Sequence, residues 1–456
     1  MTSRRYSVFR DTVHGDLYLT ADEVRLLDTP QMQRLRGVRQ LGTTYLVYPG
    51  AHHTRFEHSL GTLHIAQRMM DAINLNRSLD PAACLGVSKE EARIVRIAAL
   101  VHDITHIPFG HNIEDQTGLF RRHDTRERFL ERFDNTEVGD VLRRLRLLDD
   151  VLAVVAPDPS AASRVPRYWS QIVAGTIGAD ILDYLKRDAY YTGLNLYYDE
   201  RIVNYFKVDR GRGGLYIDCA KRQLLREDIV SEIVRVLEAR YYFSERVYYH
   251  HAKIAAGALV AKSVEEAIVS GAARESDFYD QTDETLLDFL GRLIYPSAEV
   301  RDRVRGSLRQ FRARQLPKRC CVYPAYANRE LQDELVHLYC APESYRARRA
   351  KEEAIAARAT QQAGRSDIIV LIYCPARRMQ LKEAEIDVLV PGHPEPRPMK
   401  DLAGTLWRAG DLAQAYRDLW KLYVLAWPPE PGVLRAVADA CRMEIPEARN
   451  SYEPPG

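Results

Sequence analysis

A chain of 456 residues with 46% apolar and 28% charged side chains has the balance of an ordinary globular protein, with length for one large or two ordinary domains. Its formal charge of +2 excludes a global polyelectrolyte field as the basis of partner choice. The seven cysteines are odd in number and scattered, with no C-x-x-C pair, which fits reduced thiols and a cytoplasmic protein.

The first 15 residues, MTSRRYSVFRDTVHG, lack the apolar core of a secretory signal, and no run of roughly 18 apolar residues suggests a membrane span. Val8-Phe9 and Leu17-Tyr18-Leu19 flank the turn-prone His14-Gly15-Asp16, so residues 1–25 read as a short strand or hairpin. Asp28-Thr29-Pro30 reads as a helix start, with Leu35 and Val38 extending its apolar stripe. From Glu57 to Leu75 the apolar positions Leu60, Leu63, Ile65 and Met69 recur at helical period. Glu90 to His102 repeats the pattern, which puts His102 at a helix end; Pro108 and Gly110 then break the helix. Helical periodicity returns around 125–155, 171–192 and 223–271, so the core reads as mainly α.

Past a soft boundary near residue 300 the character changes. Residues 301–319 hold eight basic side chains against one acidic, a pattern open to nucleic acid phosphate, an effector phosphate or a solvated helix face. An Ala/Arg/Glu-rich helix is expected over 344–365. Residues 368–373 and 386–390 read as strands paired with each other, and about 410–426 as a last amphipathic helix. The expected organisation is a helical domain over 1–300, with small β elements at its N-terminus, and a smaller α+β region over 301–456.

Nine of the thirteen histidines fall between His14 and His123. Among them, His102-Asp103 offers a neutral imidazole and a carboxylate from adjacent residues at a helix end. A divalent ion that must also hold water and a phosphate oxygen suits such mixed N/O ligands. His58 and Asp180 come from other helices and can complete a four-ligand set. Taken alone, a His-Asp dipeptide is usually chance, His58 also suits a core histidine, and Asp180 also suits a helix N-cap. Asp180, Tyr184 and Asp188 are spaced by four and share one helix face, flanked by Asp183 and Arg187.

The segments VFRDTVHGDLYL (8–19), LLDTPQMQRLRGVRQLGTTYLVYPGAHHTRFEHSLGTLHIA (26–66), ALVHDITHIPFGH (99–111), ADILDYLKRDAYYTGL (179–194) and RVYYHHAK (246–253) together resemble the HD-domain deoxynucleoside triphosphate triphosphohydrolases. That family includes the vertebrate enzyme pairing a sterile-alpha-motif with an HD domain. The resemblance implies an HD-domain helical core and a metal site of His58, His102, Asp103 and Asp180, with Mg, Mn, Fe, Co, Ni or Zn as candidate ions. It implies attack of water on the α-phosphorus, releasing a deoxynucleoside and tripolyphosphate. His111 matches the position of the acid for the leaving group, Glu114 the residue orienting it, and His106 and His123 further active-site histidines at the phosphates. Arg55 matches a phosphate or sugar contact, Tyr184 and Asp188 ribose contacts, Gln40 and Leu41 the base and sugar border, and Arg240 and Tyr248 the closing wall.

Asp28, Gln33 and Arg36 match an effector-nucleotide site between subunits, which also implies a homodimer or homotetramer. Two departures bear on the substrate. Ile181 stands where a lysine often follows the metal-binding aspartate, and Tyr249-His250-His251 replaces x-His-Lys. They leave open an HD phosphohydrolase on another nucleotide or phosphoester, and a nucleotide- or nucleic-acid-sensing module on the same scaffold.

Overall fold

The computed structural model describes residues 6–117, 119–158, 164–340, 342–376, 386–402 and 407–455. The helix Arg55–Leu79 is the axis of the N-terminal part and is buried on several faces: Phe56, Leu60, Leu63, Ile65, Met69 and Ile73 are all in the core. A helix apolar around its girth belongs at a domain centre. Thr54 and Glu57 form a capping box that fixes its first residue, so Arg55 and His58 occupy the first turn. The helices Lys89–Val101 and Ala179–Thr192 pack against it from two sides. A second capping box, Ser88 with Glu91, starts the former, and Gly193 in the left-handed conformation (φ 71°) ends the latter.

The hairpin is present as Ser7–Asp11 paired antiparallel with Gly15–Leu19. The expected helical stretches resolve into shorter helices: Arg126–Phe133, Glu137–Arg144 and Leu148–Val155, then Arg167–Ala174 before Ala179–Thr192. Further on, Glu227–Phe243 runs through a π turn (Ser244–Tyr248) into His251–Val269. The fold is mainly α with small sheets. No helix among the described residues is long and apolar enough to cross a membrane.

The C-terminal pairing differs from the expectation. Ile369–Tyr373 pairs with Lys421–Trp427, which also pairs with Lys318–Pro324 in a three-stranded antiparallel sheet. Asp387–Leu389 does not pair with Ile369–Tyr373. It lies parallel to Leu215–Asp218, with Arg397–Pro398 on its other edge, in a five-stranded sheet. The helix expected over 410–426 is Trp407–Arg417, and the remainder is the strand Lys421–Trp427. LYVLAW is apolar on both strand faces because both are covered, and such a run carries no period that separates strand from helix. A final helix, Pro431–Glu444, follows. Ile386, Val388, Val390, Met399 and Leu402 belong to the core of the N-terminal helices, so the chain returns across residue 300 to complete that core.

Candidate metal centre and its cleft

Three helices deliver the four expected ligands to one point. His58 comes from the first turn of Arg55–Leu79, His102 caps the C-terminus of Lys89–Val101 with Asp103 following, and Asp180 lies in the first turn of Ala179–Thr192. His58 Nε2 is 3.0 Å from Asp180 Oδ1 and 3.2 Å from His102 Nε2. Asp103 Oδ1 lies 3.5 Å from His102 Nε2, and Asp103 Oδ2 lies 3.7 Å from His58 Nε2. Ligand bonds of about 2.1 Å place neighbouring ligand atoms roughly 3.0–3.4 Å apart, so these spacings suit one ion.

The outer ring atoms are already committed. His58 Nδ1 donates to Asp183 Oδ2 (2.8 Å) and His102 Nδ1 to the Ala99 carbonyl (2.8 Å). Those tautomers, assigned from the hydrogen bonds, turn both Nε2 lone pairs toward each other and toward two carboxylates. Only a proton or a cation makes that cluster favourable. Burial works against a charged His58, yet Asp180, Asp183 and Asp103 outweigh it and raise its pKa to about 10. Asp103 and Asp180 are desolvated too, but Arg55, His102 and His106 hold Asp103, and His102 and His58 hold Asp180, below the ordinary carboxylate range. His58, His102 and Asp103 form a group able to hold a metal ion, and Asp180 Oδ1 lies 3.0 Å from His58 Nε2 and 3.7 Å from His102 Nε2. Mixed imidazole and carboxylate ligation leaves the element undetermined.

Behind His58 lies a buried network of Asp183, Arg187, His14 and Asp11. Asp183 accepts from His14 Nε2 (2.6 Å) and from Arg187 Nε (2.9 Å) and Nη2 (3.0 Å) as well as from His58. Arg187 Nη1 also donates to Asp11 Oδ2 (2.9 Å). A Cβ at Gly61 would collide with the Asp183 carboxylate and the Arg187 guanidinium, so the glycine one turn beyond His58 makes room for the network. The spacing of Asp183 and Arg187 by four was a signal; their partners in the hairpin were not visible locally.

The loop from Asp103 to Gly110 is held by buried Arg34, whose guanidinium donates to the carbonyls of Ile104 (3.1 Å), His106 (2.7 Å) and Gln281 (3.0 Å). Phe109 (φ 58°) and Gly110 (φ 42°) both adopt positive φ just before the helix His111–Thr117. At Gly110 a side chain would also meet Arg55 Nη2 at 2.9 Å. Arg55 Nη1 donates to Asp103 Oδ2 (2.6 Å). His106 Nε2 lies 3.2 Å from Asp103 Oδ1, and its ring stacks on His123 at 3.7 Å with 23° between planes.

Glu114 contacts a different histidine from the one expected. Its Oε2 is 2.8 Å from His123 Nδ1, while His111 Nδ1 pairs with Asp115 Oδ2 at 3.3 Å. Adjacent helix positions point about 100° apart, and here the second acid of the Glu114-Asp115 pair faces His111. Burial opposes a charged His111, but Asp115 and Glu114 prevail and raise its pKa; His106, buried beside Arg55 and His123, is held well below the usual histidine value. Ring nitrogens of His106, His111 and His123 also approach within 4.8 Å. Near-parallel stacked rings cannot both aim in-plane lone pairs at one ion, so this trio suits phosphate oxygens better than metal.

On the other side of the metal centre Tyr184, Asp188 and Tyr248 come together. Tyr248 Oη donates to Asp188 Oδ2 (2.7 Å), and the Tyr184 and Tyr248 rings lie 6.3 Å apart. His53 Nε2, absent from the expected set, is 2.8 Å from Asp188 Oδ1, and its ring stacks on Tyr191. Leu41 is buried, Gln40 Oε1 is buried with no hydrogen-bond partner, and Arg240 is half-buried in Glu227–Phe243. Asp28 and Arg36 are exposed; Gln33 accepts from Arg36 Nε (2.9 Å), and the Arg36 guanidinium covers Phe56. In the basic stretch, Arg305, Arg309 and Arg312 line an open surface hollow of about 570 Å³ away from the metal centre.

Comparison with known proteins agrees with this architecture. Residues 55–186 match the HD domain family. The chain is 30% identical over 288 residues to an uncharacterized protein of Methanocaldococcus jannaschii, covering 62% of this chain and 54% of that one. It is 29% identical over 335 residues to the deoxynucleoside triphosphate triphosphohydrolase SAMHD1 homolog of Dictyostelium discoideum, covering 70% and 60%. A hypothetical protein from Aquifex aeolicus has a similar fold, with a TM-score of 0.65 at 22% identity over 96% of this chain and 100% of that one. The chain thus spans between half and two thirds of these curated relatives. It carries an HD domain and resembles the HD-domain deoxynucleoside triphosphate triphosphohydrolases.

Proposed function

We propose that this HD-domain chain is a metal-dependent phosphohydrolase acting on deoxynucleoside triphosphates, which it cleaves at the α-phosphorus to a deoxynucleoside and tripolyphosphate. The observation that carries the reading is the convergence of His58, His102, Asp103 and Asp180, with both Nε2 atoms turned inward. A divalent ion held there would supply the charge that polarises a phosphoryl oxygen and eases deprotonation of water.

The chain's own groups account for the rest. Arg55, anchored on Asp103, offers its remaining donors to a phosphate oxygen. His106 and His123 border the phosphates. His111, with Nδ1 on Asp115, keeps Nε2 for a proton delivered to the leaving 5′ oxygen. Tyr184 and the Tyr248-Asp188-His53 group form a polar wall suited to a ribose 3′-hydroxyl, and Gln40 and Leu41 border the base. Asp28, Gln33 and Arg36 are open to an effector nucleotide between subunits of a homodimer or homotetramer.

The test is incubation of the purified protein with each deoxynucleoside triphosphate and Mg²⁺ or Mn²⁺, with products resolved by chromatography. Tripolyphosphate with free deoxynucleoside is expected, and its loss in Asp180→Ala and in the His102→Ala/Asp103→Ala double variant. Orthophosphate or pyrophosphate as the product would refute the reading.

A further inference from the structure

The helix His251–Val269 is mostly buried, and its first turn encloses a lysine. Lys253 is 8% exposed. Its Nζ donates to the Tyr248 carbonyl (3.0 Å), and among the described residues no carboxylate forms an ion pair with it. Burying an ammonium group without a counter-charge is costly, and burial lowers the Lys253 pKa to about 8 against the pull of Asp115 and Asp188. Both of those carboxylates have other partners: Asp115 pairs with His111, and Asp188 accepts from Tyr248 and His53. Lys253 therefore keeps donor capacity between the His111 end of the cleft and the Tyr248-Asp188 wall.

The neighbouring residues explain why the position matters. His251, two residues before Lys253, offers no charge at neutral pH: burial and Arg319 lower its pKa to about 4. His251 instead stacks on His250, whose ring meets Tyr48. Two residues along a helix turn a side chain by about 200°, which carries position 253 from that outer face to the inner one.

We propose that Lys253 is a phosphate-binding residue, contacting the polyphosphate chain of the substrate. The inference rests on the nucleotide phosphohydrolase reading and deepens it: the ligand is a polyphosphate, and the anion is met from the start of the His251–Val269 helix.

The experiment titrates inorganic tripolyphosphate and, separately, deoxyadenosine into the full-length protein, its Lys253→Met and Lys253→Arg variants, with thermal denaturation alongside. Losing a charge-assisted contact should weaken tripolyphosphate binding by roughly 10-fold or more in Lys253→Met. Deoxyadenosine affinity should stay within about twofold, and Lys253→Arg should bind tripolyphosphate more tightly than Lys253→Met. The ligand-free Lys253→Met protein should melt at or above the wild-type temperature, because it no longer buries an unpaired charge. With deoxynucleoside triphosphate as substrate, Lys253→Met should raise KM more than it lowers kcat. Unchanged tripolyphosphate affinity in Lys253→Met, or absence of binding in the wild type, would overturn the proposal. So would an equal loss for both ligands with a lowered melting temperature, which marks a packing role. Selective loss of tripolyphosphate binding in a protein that yields no tripolyphosphate would support Lys253 while refuting the proposed reaction.

Discussion

Asp183→Asn separates the metal centre from its support. Asp183 is fully buried and accepts from His14, His58 and twice from Arg187, at 2.6 to 3.0 Å. An amide of the same shape has one accepting atom and no charge. It cannot hold His58 Nδ1–H and the Arg187 fork together, so His58 loses both orientation and basicity. Loss of such an outer partner typically weakens metal binding by about 10- to 100-fold, or about 1.4–2.7 kcal/mol. The variant also leaves a buried guanidinium with one carboxylate in place of two. Breaking a buried pair outright costs about 3–5 kcal/mol, and because Arg187 retains Asp11 the loss should fall near 3 kcal/mol. Competition against a fluorescent chelator measures the first quantity and urea denaturation of the metal-free protein the second. Added metal should raise the variant's melting temperature less than the wild type's at equal concentration. An Asp183→Asn protein with wild-type metal affinity would refute the idea that the network behind His58 sets the ligand's geometry.

Gly61→Ala places a methyl group against the same network and should cost about 1–3 kcal/mol by overpacking, read by urea denaturation; a neutral outcome would mean that Asp183 can shift freely. If His111 is the proton donor proposed above, Asp115→Asn should lower kcat by about 10- to 100-fold with the greatest loss above neutral pH, where His111 no longer keeps its proton. Glu114→Gln should shift that alkaline limb less than Asp115→Asn does, and the reverse result would make Glu114 the main partner of His111. His64 gives a stability test: burial, His14 and Arg68 lower its pKa from 6.5 to about 4. The unfolded chain then binds the proton more readily, so the contribution is complete above pH 6.5 and is lost as pH falls toward 4. Allowing for partial solvent access, the loss is about 2 kcal/mol. Across that window His64→Gln should therefore lose less unfolding free energy than the wild type, and parallel curves would refute the assignment.

What the sequence disclosed divides along locality. The Asp180-Tyr184-Asp188 face and the break after His102 depend on residues within one or two turns, and the structure has each where periodicity puts it. The C-terminal strands show the opposite. Asp387–Leu389 was legible as a strand, but its partner Leu215–Asp218 is some 170 residues away. No pattern between 368 and 390 reveals that the two strands belong to different sheets. Lys421–Trp427 is a strand within a stretch whose sequence reads as helix, because burial on both faces erases the period that tells the two apart. At the site, the helix carrying Glu114 and Asp115 was visible, whereas which of two adjacent acids turns toward His111 depends on the tilt of that helix. That tilt is set by the Phe109-Gly110 turn and by packing on His251–Val269.

The histidine cluster that first singled out residues 14–123 gains its meaning from what each ring is tied to. His14 and His58 share Asp183, His53 holds Asp188, His102 donates to the Ala99 carbonyl, His106 meets Asp103, His111 meets Asp115, and His123 meets Glu114. Seven rings thus have one nitrogen committed to an acceptor, and for five of them that acceptor is not itself an expected metal ligand or the neighbouring backbone. An imidazole anchored this way has a fixed tautomer and direction and needs little reorganisation to meet a cation or an oxyanion. A core histidine needs its polar atoms satisfied, but has no reason to share a cleft with six others and four buried carboxylates. His64, with its lowered pKa, is the useful contrast: it lies beside the same network, pairs with no carboxylate among the described residues and behaves as an ordinary neutral ring. The functional signal therefore lies in the pairing of histidines with carboxylates across separate helices, which only the fold assembles.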